Sequence, residues 1–181
     1  MNNDNEQKDR EQEIIEAQKR QISILRSGNT GAILDTLIEI REEGNINILP
    51  DIFELMLVSE EPEVQKSCAN LLCDIKVDEA GIILTEAISD SRYESIKKEL
   101  VSACWQNGLD YHKSVLIFAE IVLSDDYSTA IEAFTVVENC IGDLSETERA
   151  NLSSALKKGM EQTDSQRKDL VNALIVAIEE F

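Results

Sequence analysis

Aromatic residues are scarce in this chain, with one Trp, three Tyr and four Phe making up 4% of it. A core must then be filled by Leu, Ile, Val and Ala, and the aromatic cross-strand pairs that stabilise sheets have little to draw on. Proline occurs only at Pro50 and Pro62, so most of the chain carries no helix breaker. Basic residues are also few. Seventeen Lys and Arg face 36 Asp and Glu, a net charge of −19, and such a surface repels phosphate backbones and anionic lipid. Neither nucleic acid nor a membrane surface is an expected partner.

Metal and nucleophile chemistry is equally thin. The four cysteines, at 68, 73, 104 and 140, form no CxxC pair, and the single histidine, His112, is remote from them in sequence. Each cysteine falls in or beside an apolar helical register, which predicts free buried thiols, and no zinc ligand spacing is present. No Ser or Cys nucleophile is tied to His112 by a motif, and phosphate-cradling GxxxxGK[ST] and dinucleotide GxGxxG sequences are absent. Catalytic, cofactor and metal residues are therefore expected to be none. No run approaches the ~18 apolar residues of a membrane span, and the opening MNNDNEQKDREQE lacks the apolar core of a secretory signal. The expected setting is reducing and cytoplasmic.

What the chain does have is helical periodicity, repeated. From Leu49 to Ile75 it reads as one amphipathic helix, a short acidic break, Pro62 at the next helix start, and a second helix with Val64, Cys68, Ala69, Leu71 and Leu72 inward. The same register returns at Ile33, Ile96, Ala130 and Leu170, at intervals of 31, 32, 34 and 40 residues. Gly44, Gly108 and Gly142 mark stops. Asp78 and Asp110 stand where side chains accept from orphan amides, and Ser145 with Glu148 has capping-box spacing. Strand alternation is not sustained anywhere, so no sheet is expected. Residues 1–10 read as a disordered polar N-terminus, 11–28 as an N-terminal capping helix, and 29–181 as about four helical hairpins followed by a last helix. A two-helix unit of some thirty residues cannot bury both apolar faces alone, so copies must lean on one another.

In these residues, and above all in LPDIFELML followed by EEPEVQK and by Ala69 to Leu72, the chain resembles the HEAT-repeat family of α-solenoids. The usual arginine after the Val64 position is Gln65, and the turn at Ser91 to Tyr93 lacks that family's proline. The resemblance covers about residues 29 to 181. It implies an all-α, right-handed solenoid of stacked antiparallel hairpins that acts as a non-enzymatic protein-binding scaffold or adaptor. Two other roles stay open: a catalytic member of the glycosylase type, and a self-assembling structural protein.

Two surfaces are candidates. Ten residues before Val64, Ile96 and Ala130 stand Glu54, Glu86 and Glu120, one acid at the equivalent place of three successive second helices, with Asp51 nearby. In a HEAT-like array those helices line the concave side, so the acids would form a ladder of roughly 9 Å steps suited to a basic peptide or another protein. The bland alternative is the solvated face every amphipathic helix carries. The second candidate is the apolar last helix, where Leu174, Ile178 and Phe181 would contact a second copy in a homodimer. Trp105, Tyr111 and His112 also cluster; there, Trp105 is expected to pack between helices.

Overall fold

A computed structural model describes the backbone from residue 2 and the side chains from residue 12 through Phe181. The expected disordered segment, residues 1–10, lies outside the residues whose side chains are described. Every regular element among the described residues is helical. The helices are α1 (Asn2–Leu25), α2 (Thr30–Glu43), α3 (Leu49–Val58), α4 (Pro62–Asp74), α5 (Ala80–Ile88), α6 (Lys97–Asn107), α7 (Val115–Ser124), α8 (Tyr127–Cys140), α9 (Glu146–Met160) and α10 (Ser165–Glu179). Short 3-10 turns precede α3, α6 and α7 and follow α8. No described helix is long and apolar enough to cross a membrane.

Local chemistry sets most of the boundaries. Asn29 caps α2 by accepting from the Ala32 amide, and Gly44 closes it at φ 66°, a left-handed conformation that side-chain-bearing residues avoid. Pro50 sits in the first turn of α3, where a missing amide costs nothing. Ser145 and Glu148 form a reciprocal capping box at α9, and Asp126 and Asp164 cap α8 and α10. Asp110 accepts from the His112 amide at 3.0 Å and so opens the turn into α7. Asp78 does not cap α5: the N-cap position is Glu79, already in helical conformation, and Asp78 contributes its backbone carbonyl to Gly81.

The chain divides into two compact units, residues 1–71 and 72–181, with the boundary inside α4. In the first, α1 packs on α2 and α3. Its buried residues include Leu25, Ile33, Leu37, Ile40, Ile48, Leu49, Ile52 and Phe53. In the second, each helix pairs with the next in α5–α6, α7–α8 and α9–α10; α8 also touches α6 and α10, and α7 touches α9 and α10. Phe118, Leu100, Leu84 and Leu152 are fully buried there.

The recurring register holds in part. In α6 the residues at the repeated offsets, Leu100, Val101, Ala103 and Cys104, are all buried, and in α4 Cys68, Leu71 and Leu72 are. In α10 Leu174, Ile175 and Ile178 are buried at those offsets too, whereas in α8 the inward set has slipped by a residue. The buried side chains of α8 are Thr129, Ala130, Ala133, Val136, Val137 and Cys140, and those of α10 are Val171, Leu174, Ile175 and Ile178, with Leu170 only half-buried. The reason is tertiary: α8 touches α6, α7 and α10, so its inward face follows its neighbours rather than its distance from a repeat start.

Candidate functional site

Glu54, Glu86 and Glu120 are all exposed, and each stands between two buried residues: Phe53 and Leu55, Thr85 and Ala87, Ala119 and Ile121. Burial on both sides of a residue in a helix leaves only a narrow outward strip, and the glutamate occupies it. Glu86 and Glu120 belong to the C-terminal unit and Glu54 to the N-terminal one. Asp51 is not a spare charge beside Glu54. Its carboxylate takes Arg26 Nη2 at 2.7 Å, and its side chain is only 18% exposed.

Sequence reasoning missed the company these acids keep. Ile82 is 64% exposed and Leu116 54% exposed, one helical turn before Glu86 and Glu120 respectively. Residues four apart share a face, so α5 and α7 each present an apolar side chain next to a carboxylate. The start of α5 lies against the residues leading into α7: a Cβ placed on buried Gly81 would be 3.5 Å from the Tyr111 ring. The i−4 spacing from the two glutamates was the available signal; the apolar character of Ile82 and Leu116 by itself points the other way, into a core.

The last helix requires a correction. Leu174 and Ile178 are buried within the unit, at 0% and 5% exposure, so neither is offered to a second copy. Their apolar area is spent on packing α10 against α9, α8 and α7. Only Phe181 of the three is exposed, beyond the end of α10 and close to Gly142, and Val176 is a large apolar side chain exposed on the helix itself.

Trp105 also differs from expectation. It is 39% exposed, and its indole Nε1 donates to Glu132 Oε2 at 2.6 Å. Tyr111 is the buried member of that cluster: its hydroxyl accepts from Asn107 Nδ2 at 2.9 Å, its ring meets Phe118 edge-on at 5.6 Å, and burial raises its pKa. His112 Nδ1 lies 2.6 Å from Asp110 Oδ1, and the Asp110 carboxyl is held below its usual value chiefly by the His112 amide. Trp105, Asp110 and Tyr111 border a cleft of about 380 Å³ that is also lined by Gly108, Asn139 and Asp143, with the buried Cys104 and Cys140.

All four thiols are free, with Cys68, Cys104 and Cys140 buried and Cys73 partly so. Desolvation pushes Cys68 and Cys104 up to about 12 and Cys140 up to about 11. Thiols so protonated are poor nucleophiles and poor metal ligands. Among the described residues, no three His, Cys, Asp or Glu side chains come together as a metal-holding group. Compared with known proteins, the chain matches no family model and no curated protein.

Proposed function

We propose that this chain is a non-enzymatic protein-binding scaffold or adaptor, built as a short HEAT-like α-solenoid, that recognises a basic amphipathic segment of another protein. The observation that carries the reading is the pairing of Ile82 with Glu86 and of Leu116 with Glu120 on exposed faces of α5 and α7. Two isolated surface hydrophobics need no explanation, but the same apolar–acid pair at equivalent places of α5 and α7 suits a ligand with alternating aliphatic and cationic groups. Fully burying Ile82 and Leu116 would each contribute roughly 1.5–3 kcal/mol, while the carboxylates act mainly through steering and register. The helix pairing in residues 72–181, with α8 between α6 and α10 and α7 beside α9, supports stacked antiparallel hairpins. A net charge of −19 favours a cationic protein over a nucleic-acid substrate.

The test is affinity capture from the native cell with the wild-type chain, with Glu86→Lys/Glu120→Lys and with Ile82→Ser/Leu116→Ser. Loss of the same captured protein in both variants, with helicity retained, is expected. Capture unchanged by both double variants would remove this surface as the binding site.

A further inference from the structure

The cleft beside Trp105 shares no lining residue with the α5 and α7 acid pairs and has a different character. Its lining contains two carboxylates, Asp110 and Asp143, the only tryptophan of the chain, and neither Lys nor Arg. It is formed where α6 ends at Gly108, in left-handed conformation, and where α8 runs through the turn Ile141–Asp143. α8 carries no basic residue in its last turn, so the partial negative charge of its C-terminus adds to that of the carboxylates, whereas the end of α6 is offset by the Lys76 ammonium. Lys76 Nζ donates to the Asn107 carbonyl at 2.6 Å outside the cleft lining, and His112 is engaged by Asp110. Asp143 and Asn139 stay exposed at the rim. Trp105 does not move freely there, because its N–H is tied to Glu132.

A recess lined by two carboxylates, with an indole and neither Lys nor Arg in its wall, is chemically selective. Tryptophan is the strongest side-chain partner of a cation through its ring, and a carboxylate beside it stabilises the same charge. A volume of about 380 Å³ is within the range of pockets that take a small ligand or a single long side chain. We infer that this cleft is a binding site for one organic cation, a guanidinium or alkylammonium head received between Trp105, Asp110 and Asp143. The inference does not depend on the α5 and α7 surface.

The sole tryptophan is the reporter. The full chain is titrated with N-acetyl-arginine amide, with tetramethylammonium, and with N-acetyl-citrulline amide as the uncharged isostere, following Trp105 emission and confirming by calorimetry. The expected result is a saturable change with both cations and none with citrulline. Asp143→Asn should weaken binding about tenfold, and Asn139→Lys, which places a tethered ammonium at the rim, should abolish it. Both positions are exposed, and unchanged helicity shows that the variants fold. Trp105→Phe, read by calorimetry, should weaken binding about threefold to tenfold. The Glu86→Lys/Glu120→Lys variant keeps full affinity, which separates this site from the proposed docking surface. An arginine inside a short peptide that binds at least tenfold tighter than the free amide identifies a partner's side chain as the source; equal affinities identify a small molecule. No saturation up to about 10 mM, below any affinity a specific site would need, overturns the inference. So does an equal response to citrulline, or affinity unmoved by both Asp143→Asn and Asn139→Lys.

Discussion

Gly159 of α9 lies directly against Leu123 of α7: a Cβ built on the glycine would come within 2.4 Å of Leu123 Cδ1 and 2.8 Å of Cδ2. The glycine is therefore a contact point between two helices rather than a flexible joint. Next to it, Thr163 Oγ1 donates to the Leu123 carbonyl at 3.2 Å and fastens the end of α9 to the end of α7.

Gly159→Ala should accordingly destabilise the fold. Alanine gains up to ~1 kcal/mol of helix propensity, while displacing Leu123 costs about 1–3 kcal/mol, so the net loss is up to about 2 kcal/mol. In a Leu123→Ala background the same change should become neutral or stabilising. Urea denaturation of the four proteins of this cycle checks it, and an equal loss in both backgrounds would show that the close approach has no energetic weight.

Asp126 caps α8 by accepting from the Ser128 amide at 2.9 Å, the Thr129 amide at 3.2 Å and the Thr129 hydroxyl at 2.5 Å. Asp126→Ala should cost about 1 kcal/mol at neutral pH. The hydroxyl bond, first among its causes, lowers the folded-state pKa below 3.8. The carboxylate's contribution is thus fully present above 3.8 and is lost as pH falls through the folded value. The Tm gap between wild type and variant should narrow over that acidic range, and a gap constant from pH 6 to pH 2.5 would contradict the assignment.

The thiols predict the alkaline limb. Cys68, Cys104 and Cys140 are raised from 9.0 to about 12, 12 and 11 by desolvation, so above pH 9 the unfolded chain loses protons that the folded chain keeps. Their stabilising effect is complete below pH 9 and disappears as pH rises toward the folded values. Tm should fall between pH 8.5 and 11, less steeply in a Cys68→Ala/Cys104→Ala/Cys140→Ala variant.

Thiol labelling at pH 8 gives an independent reading of the same burial. Cys73, the only thiol not fully buried, should react first, and the other three only in denaturant. Rapid modification of more than one thiol in the native protein would contradict the packing around Cys68, Cys104 and Cys140.

Much of the fold was legible because it is written locally. Gly44, Pro50, Asp110 and Ser145 act within a few residues of themselves, and helix boundaries follow from them; Asp126 and Asp164 cap just as locally but were not named from the sequence, and Asp78, which was, does not cap. The outward position of Glu86 and Glu120 was legible too, since charge between apolar neighbours in a helix has one direction to go. The exposure of Ile82 and Leu116 was not, because an apolar residue is driven inward only where a neighbour exists to receive it. Asp51 misled in the opposite sense: its charge is answered by Arg26, twenty-five positions earlier in the chain.

The sequence by itself determined that this chain is helical, where most helices start and stop, and that its surface is strongly acidic, since propensity, capping and net charge are properties of short stretches or of totals. Tertiary structure alone decided that α8 turns a different edge inward, that Leu174 and Ile178 are consumed by packing, and that Trp105, Asp110 and Asp143 border one cleft. Each of these depends on which helices surround a residue, and burial is a property of that surrounding rather than of the residue.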